Sequence, residues 1–253
     1  MDPRYRAKNF AKISQQLLAD PEEHSTLERI VDLAVTTIEA CDFAGVSLRR
    51  ARGRVDSPAN TSALAQQADE LQQELGEGPC LDAIDTATTY VVRDAATDPR
   101  WPHWGPCVAE IGIRSVLSVQ LATDNDNLGA LNLYANKPDA FTPDDVVVAE
   151  VFAEHAAMAL ESAQVVTGLK QALTTRHRIG VAQGILMQRY GLDLERSLEV
   201  LMRYSQQTNI KLRDIAERMI ATGAIPMEED FASPPSTDRR RRGAGSGAAA
   251  VSS

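Results

Sequence analysis

The chain has 253 residues, with 26 Lys and Arg against 35 Asp and Glu, and a formal net charge of −9 at pH 7. This length leaves room for one domain of about 150 residues and a small second module. No window approaches roughly 18 consecutive apolar residues, and the first residues lack the apolar core of a secretion signal, so we expect a soluble, cytoplasmic protein.

The three cysteines, Cys41, Cys80 and Cys107, are scattered along the chain without a C-x-x-C pair. Their odd number and spacing argue against a disulfide scaffold or a zinc finger. Reduced thiols that pack as small hydrophobic side chains are the simplest interpretation, and a redox or catalytic thiol is the alternative. The four histidines also lie far apart. The sequence therefore predicts no metal, haem or other cofactor.

The first part of the chain changes from a helical to a strand period. Residues 5–19 and 26–39 place apolar side chains three and four positions apart, and Asp20-Pro21 separates the two runs. Residues 43–48 alternate instead. Short elements are then predicted in chain order: a helix over 63–75, a break at 76–79, a helix over 79–85, a strand over 89–92, and a helix that the segment 98–104 opens and that carries Val108 and Ile111.

Two alternating runs, 115–121 and 128–134, flank the polar stretch 123–127 and predict a β-hairpin. Helices around antiparallel strands, with long excursions between them, are typical of an α+β sensor-like domain.

A long helix is predicted from Thr142, an N-cap followed by Pro143, to about Tyr190. Side chains between Val151 and Ile179 follow alternating steps of four and three, the heptad spacing of a coiled coil. Three of these side chains are polar, so the alternative is that part of the seam packs on the first domain. We expect a helix that joins two domains, in a homodimer.

Charge is divided unevenly along the chain. Residues 1–166 carry 13 Lys and Arg against 26 Asp and Glu, residues 167–223 carry 9 against 5, and residues 224–253 carry 4 against 4. Only the helical segment, helped by Arg239-Arg240-Arg241-Arg242, would attract a polyanion. A solvated helix surface is the alternative explanation. Past Met227 the chain is rich in Ser, Pro, Gly and Ala, and we expect it to be disordered.

The helical segment 169–220 contains a set of motif residues: Ala172-Leu173, Arg176, Ile179, Ala182, Gly184-Ile185-Leu186-Met187, Gly191, Leu201, Ser205, Lys211-Leu212 and Asp214-Ile215-Ala216. This set resembles the ANTAR domain, the RNA-binding module of bacterial transcription antiterminators. The resemblance implies a three-helix bundle, RNA hairpins in nascent transcripts as partners, and no enzymatic activity.

The bundle core is predicted from the apolar positions. Ala182 and Gly184 are small residues where a neighbouring helix is expected to come close. Gly191 ends the long helix, Asp193 caps the next, and Thr208 or Asn209 can cap the last. The expected core side chains are Leu186, Leu198, Leu201, Met202, Leu212, Ile215, Met219 and Ile220.

The remaining side chains are expected to face outward and to contact RNA, because hairpins present phosphates and unstacked bases to Arg, Lys and planar groups. We predict RNA contacts from Arg176, Arg178, Arg189, Tyr190, Lys211 and Arg213, with His177 and Arg203 also outward. ANTAR domains often have Lys where this chain has Gln183 and Ala where it has Ser197. The first difference removes one possible phosphate contact.

Another set of residues lies in the first domain: Gly76-Glu77-Gly78-Pro79-Cys80-Leu81, Asp94, Arg100-Trp101-Pro102, Ser115-Val116-Leu117-Ser118, Gly129-Ala130-Leu131-Asn132-Leu133-Tyr134 and Ala140-Phe141-Thr142. This set resembles a GAF domain of the type that precedes ANTAR in actinobacterial regulators. The resemblance implies a sensor with an antiparallel sheet and flanking helices over residues 1–165, an ANTAR domain over 166–226 and a disordered tail over 227–253.

A ligand pocket in the sensor is predicted at Cys80, Trp101, His103 and Trp104, which fall in the excursions between strands. Each also has a plainer role: the two tryptophans as core anchors, Cys80 as packing, and His103 as a helix-start residue.

The predicted function is a signal-responsive RNA-binding regulator that promotes transcription antitermination, controlled by an unknown small-molecule or protein signal. One alternative is a helical module that docks on a protein partner. The other is a GAF-type free methionine sulfoxide reductase, which needs an activated thiolate and a resolving partner. The cysteine positions do not match the spacing of that family.

Overall fold

A computed structural model describes residues 11–124 and 126–225. The chain forms two compact units with their boundary between Lys170 and Gln171. The predicted α+β class is confirmed, because an antiparallel five-stranded sheet with flanking helices occupies the first unit and a helical bundle the second. The predicted tail over 227–253 and residues 5–10 of the first predicted helix lie outside the described residues.

The first unit contains a five-stranded sheet and six helical segments, the last of which continues into the second unit. The strands are β1 Phe43–Arg49, β2 Val55–Asn60, β3 Tyr90–Val92, β4 Ser115–Ala122 and β5 Asn127–Ala135. The helices are α1 over 11–17, α2 Glu23–Thr37, α3 Ala63–Leu75, α4 Pro79–Thr86, α5 Trp104–Glu110 and α6 Pro143–Tyr190, with a 3₁₀ turn at Ala51–Gly53.

The sheet has the order β2-β1-β5-β4-β3, and all neighbouring strands are antiparallel. The predicted hairpin is confirmed as β4 and β5, in which Leu117 pairs with Leu133. Side chains of β5 alternate between two faces. Leu131 and Leu133 join a core with α2 and α6, whereas Tyr134 joins a second core on the other face. Both faces of the sheet are therefore covered.

Strand β2 is missing from the sequence-based expectations. Its sequence Val-Asp-Ser-Pro-Ala-Asn has neither alternation nor β-branched residues beyond Val55. It pairs on one side only, with β1, and a proline such as Pro58 is tolerated in an edge strand because an edge strand has unpaired N–H positions.

The helix expected after the segment 98–104 is present as α5, which begins at Trp104, the last residue of that segment. The Asp98 carboxylate accepts a hydrogen bond from the main-chain N–H of Arg100 at 3.1 Å, which holds a turn there. The Glu77 carboxylate then accepts from the main-chain N–H groups of His103 and Trp104, both at 2.6 Å, and so satisfies the free donors at the start of α5.

Helix α6 begins and ends as predicted. Thr142 and Asp145 form a reciprocal cap: the Asp145 carboxylate accepts from the Thr142 N–H at 2.9 Å, and the Thr142 hydroxyl accepts from the Asp145 N–H at 3.3 Å. At the other end, Gly191 adopts the left-handed conformation with φ 66°, which ends a helix at little cost for glycine. The 48 residues between form one helix.

Candidate functional site

The second unit is a three-helix bundle made by the last part of α6 with α7 Leu194–Thr208 and α8 Leu212–Thr222. Most predicted core positions are buried or half-buried there. Met202 and Ile220 were wrongly predicted to lie in the core, since their side chains are 46% and 40% exposed. The buried core consists of Ala182, Leu186, Leu201, Ile215, Ala216 and Met219.

Two local expectations for the bundle are also wrong. Gly184 does not face a neighbouring helix, because a Cβ built on it would meet nothing within 4 Å and the residue is exposed. The last helix follows Lys211, whereas Asn209 adopts φ 55° and ends α7. The predicted cap of α7 is confirmed: the Asp193 carboxylate accepts from the Arg196 N–H at 2.8 Å.

Gln183 lies inside the bundle and connects two of its helices. Its side chain is buried, and its amide nitrogen donates to the Leu194 carbonyl at 3.0 Å. The buried Ser197 hydroxyl donates to the same carbonyl at 2.8 Å. Where the ANTAR domains that this segment resembles often carry Lys, this chain therefore has a side chain that joins α6 to α7.

Arg178 and Arg213 lie on one side of the bundle. The Arg178 guanidinium lies 3.2 Å from the Glu217 carboxylate, so α6 contacts α8 here through an exposed ion pair. Arg213 is four residues before Glu217 and therefore occupies the same face of α8. It forms its own ion pair with Asp214 at 3.2 Å.

Arg189 continues this side of the bundle toward the end of α8. It lies eleven residues after Arg178, about three turns and roughly 16 Å along α6. Its guanidinium donates to the Gly223 carbonyl, where the C-terminal end of a helix favours a positive group. We refer to Arg178, Arg189, Arg213 and Glu217 as the α6–α8 face.

The other predicted RNA contacts lie apart from this face. Arg176 precedes Arg178 by two residues and projects roughly 200° away around the helix. Tyr190, 53% exposed, is the last residue of α6, and Lys211 is the exposed residue before α8. Within the described residues, neither Arg176 nor Lys211 makes an ion pair.

In the first unit, the two tryptophans predicted at the pocket are core residues. Trp101 and Trp104 are 2% and 0% exposed and pack edge to face, with 6.2 Å between ring centroids. The Trp101 indole N–H donates to the Asp82 carboxylate at 2.9 Å, and that of Trp104 donates to the Ala68 carbonyl at 3.1 Å.

The other two predicted pocket residues lie in different surroundings. His103 is exposed, with Nδ1 3.1 Å from the Glu77 carboxylate. Cys80 is buried in a separate cluster, and burial raises the pKa of its thiol to about 12. An open groove of about 500 Å³ lies beside β3, and residues such as Val91 and Arg93 line it.

A buried polar cluster beneath α3 is absent from the sequence-based expectations. Asp69 of α3 accepts from the Asn132 amide at 2.9 Å, and the Asn132 oxygen accepts from the Ser118 hydroxyl at 2.9 Å. All three are at most 1% exposed. The sequence signal was present: Asp69 follows Ala65 and Ala68 on the apolar face of α3, a position where a carboxylate is costly to bury.

Two further findings concern residues 11–124 and 126–225. No three His, Cys, Asp or Glu side chains among them are grouped so that they could hold a metal ion. None of the helices in this part combines the length and apolar character that crossing a bilayer requires.

The chain is thus a two-domain protein, in which a sheet domain with a buried polar cluster is followed through one helix by a small bundle rich in basic residues. The comparisons give the same organisation. The chain belongs to the GAF domain family, whose profile matches residues 20–161, and the ANTAR domain profile matches residues 167–220. It is thus a signal-regulated ANTAR protein with a GAF sensor.

Solved structures share the GAF fold. The GAF domain of a phosphoenolpyruvate-protein phosphotransferase from Coxiella burnetii is 18% identical with a TM-score of 0.53, over 64% of this chain and 96% of that one. The corresponding Acinetobacter domain is 14% identical with a TM-score of 0.51, over 66% and 98%. A bacteriophytochrome from R. palustris is 11% identical with a TM-score of 0.54, over 80% and 47%. No curated protein matches the chain significantly in sequence.

Proposed function

We propose that the chain is a cytoplasmic RNA-binding regulator whose ANTAR bundle binds hairpins in nascent transcripts and promotes antitermination when the GAF domain receives its signal. The observation that carries this proposal is the α6–α8 face, where Arg178, Arg189 and Arg213 stand on one side of a small bundle. Arg176, Tyr190 and Lys211 extend the proposed contact surface beyond this face.

Electrostatics support RNA as the partner of the bundle and not of the sensor. Residues 167–223 carry 9 basic against 5 acidic side chains, whereas residues 1–166 carry 13 against 26. Each phosphate neutralised by Arg or Lys releases counterions, so a basic face attracts RNA most strongly at low salt. Tyr190 adds an exposed ring on which an unstacked loop base can stack.

A homodimer through α6 is the proposed assembly. In the first unit, α6 packs on the domain core through Phe152, Ala156 and Leu160. A stripe of apolar side chains occupies its opposite side, at intervals of four, seven, seven and four residues. This α6 stripe consists of Val147, Val151, Met158, Val165 and Leu169, of which Val151 is half-buried and the others are 54–61% exposed. A second copy of the same helix fits such a seam, and two copies would present two bundles to RNA.

The proposed control is a shift between two states of α6 when the GAF domain binds a small molecule or protein. A coupling of about 1 to 3 kcal/mol, roughly five- to 150-fold in affinity, is the usual scale for such control. We propose no enzymatic step. Burial raises the pKa of both the Cys41 and the Cys80 thiols to about 12, so neither supplies the thiolate that a methionine sulfoxide reductase needs.

The test is a fluorescence-anisotropy titration of a labelled RNA hairpin against the full chain at several salt concentrations. The double variant Arg176→Ala with Arg178→Ala should weaken binding at low salt. It should also reduce the slope of log Kd against log salt by the amount that about one to two phosphate contacts contribute. The matched control is Arg49→Ala with Arg93→Ala, which removes the same charge from exposed positions of the sensor. Equal effects of the two pairs would reject the ANTAR bundle as the RNA site.

Exposed apolar side chains on the bundle favour a second candidate, docking on a protein partner. Leu194, Met202 and Ile220 are 60%, 46% and 40% exposed. A protein partner bound through these side chains would remain bound at high salt, whereas an RNA complex would weaken. Absence of hairpin binding by the wild-type chain, together with a salt-resistant protein complex, would replace the first proposal by this one.

A further inference from the structure

The polar cluster beneath α3 contains a carboxylate with one satisfied oxygen. Asp69 Oδ1 accepts from the Asn132 amide at 2.9 Å and from the Tyr134 hydroxyl. Both donors belong to β5, so this oxygen attaches α3 to the middle of the sheet. The side chain is 1% exposed, and water does not solvate it from outside.

The second oxygen lies in the same place as another acceptor, the side-chain oxygen of Asn60. Asp69 Oδ2 and Asn60 Oδ1 are both buried without a hydrogen-bond partner. They converge on Gly45 of β1, since a Cβ built there would lie 2.6 Å from the first and 2.3 Å from the second. The Asn60 amide nitrogen donates to the Ser57 carbonyl at 3.3 Å, which leaves the oxygen of this amide on the side of Gly45. Both converging oxygens are acceptors, and a proton on Asp69 Oδ2 would supply the donor that the pair lacks.

The surroundings of Asp69 supply no positive charge. Desolvation by burial raises the pKa of Asp69 to about 7, against the opposing effect of the hydrogen bonds from Tyr134 and Asn132. The groups that face it on the surrounding elements are the acids Tyr134 of β5, Cys80 of α4 and Glu70 of α3 itself, and the neutral Ser47, Ser57, Asn60 and Asn132. An ionised Asp69 would therefore be a buried charge without a counterion.

We propose that Asp69 is a proton-binding site of the GAF domain: it holds a proton on Oδ2, donates it to Asn60, and on releasing it loosens α3 from the sheet. The proposal makes proton concentration one signal to which the sensor responds. It rests on the proposed function only for the consequence at the ANTAR bundle.

The sign of the pH effect follows from the pKa. The folded-state pKa of Asp69, about 7, lies above the ordinary carboxyl value of 3.8. The folded domain therefore holds a proton that the unfolded chain has lost, and the free energy of unfolding falls as pH rises between these two values. Above the folded-state pKa the contribution of Asp69 levels off.

Tryptophan fluorescence measures this domain selectively, because both tryptophans of the chain, Trp101 and Trp104, lie in it. Trp104 donates to the carbonyl of Ala68, the neighbour of Asp69, so its emission follows α3. Urea unfolding of the full chain is measured from pH 5 to 8 for the wild type and for Asp69→Asn. Asparagine is uncharged throughout and resembles the protonated acid, with an amide N–H in place of the Oδ2 proton.

The ratio of the unfolding constants, wild type over Asp69→Asn, should rise about tenfold per pH unit from pH 5 to about 7 and then level off. Glu74→Gln, an exposed acid on the same helix, should give a curve parallel to the wild type. A ratio that stays constant from pH 5 to 8 would overturn the proposal.

Two further measurements test the proposal if Asp69→Asn does not fold. Tyr134→Phe removes a donor that favours the charged carboxylate, so the pH dependence of unfolding should have its midpoint at higher pH in this variant than in the wild type. Carbon-13 NMR of the wild type with labelled aspartate should show one carboxyl titrating between about pH 6 and 8. If every aspartate titrates below about pH 5, the proposal fails. Neither measurement involves RNA, so its failure leaves the proposed RNA binding intact.

Discussion

The side-chain amide of Gln183 donates a hydrogen bond to the main-chain carbonyl of Leu194 at 3.0 Å, and this contact joins α6 to the first residue of α7. Ser197 donates to the same carbonyl at 2.8 Å. Two buried polar side chains thus meet at one acceptor, in a bundle whose apolar core is small. Gln183 therefore contributes to the stability of the bundle and not to its exposed surface.

Gln183→Ala should destabilise the bundle by about 1 to 2 kcal/mol, because it removes a buried hydrogen bond and leaves part of the Leu194 carbonyl unsatisfied. Hydrogen exchange of the full chain, followed by mass spectrometry, should show faster exchange in peptides from α7. Gln188→Ala, an exposed position on the same helix, is the control and should leave exchange unchanged. Equal exchange in the two variants would contradict a structural role for Gln183.

Glu217→Gln should raise hairpin affinity a few-fold and steepen its salt dependence. The substitution removes the carboxylate that neutralises Arg178 at 3.2 Å and leaves this guanidinium available to phosphate. Glu199→Gln makes the same change of charge at an exposed position of α7. If both variants gain affinity equally, net charge and not the α6–α8 face accounts for the effect.

Val165→Glu should dissociate the proposed dimer, because it places a charge within the α6 stripe, where the seam would bury it. Analytical ultracentrifugation over a range of concentrations gives the dissociation constant. The control is Gln171→Glu, which adds the same side chain at an exposed position six residues later. This position points roughly 120° away from Val165 around the helix, outside the stripe, so the dimer should stay intact. A monomeric wild type at high concentration would reject the stripe as an interface.

In the native protein at pH 8, Cys107 should react with a disulfide reagent well before the other two thiols. Burial raises the pKa of Cys41 and Cys80 to about 12, so only about one in ten thousand of each is a thiolate at that pH. Cys107 is partly exposed. Absorbance should report one fast thiol per chain, and three in denaturant. Cys107→Ala should abolish the fast phase, and a fast phase that persists would place the reactive thiol elsewhere.

Elements with a strong local signal were predictable from sequence. The hairpin of β4 and β5 follows from two alternating runs, and the limits of α6 follow from Thr142-Pro143 and Gly191. Strand β2 was not predictable in this way. Its residues Val55–Asn60 lack the alternation of a strand, and they form one because their main chain pairs with the preceding strand, β1.

The candidate sites also contain residues that sequence could predict and residues that it could not. The exposed position of Arg176 or Lys211 follows from helix periodicity and needs no neighbour. The position of Asp69 depends on β5, whose Asn132 is 63 residues away in sequence and meets it only across the folded core. Asn60 of β2 is a neighbour along the chain, but its place beside Asp69 depends on the sheet.

The sequence by itself determined two modules of opposite charge and the helix that joins them, because apolar period, caps and net charge are local properties of the chain. Its motif residues indicated the family of each module by resemblance. Only the tertiary structure decided which polar side chains are buried: Gln183 inside the bundle, Gly184 in the open, and Asp69 beneath α3. Burial of a polar group depends on whether partners from distant segments satisfy it, and no local pattern encodes that.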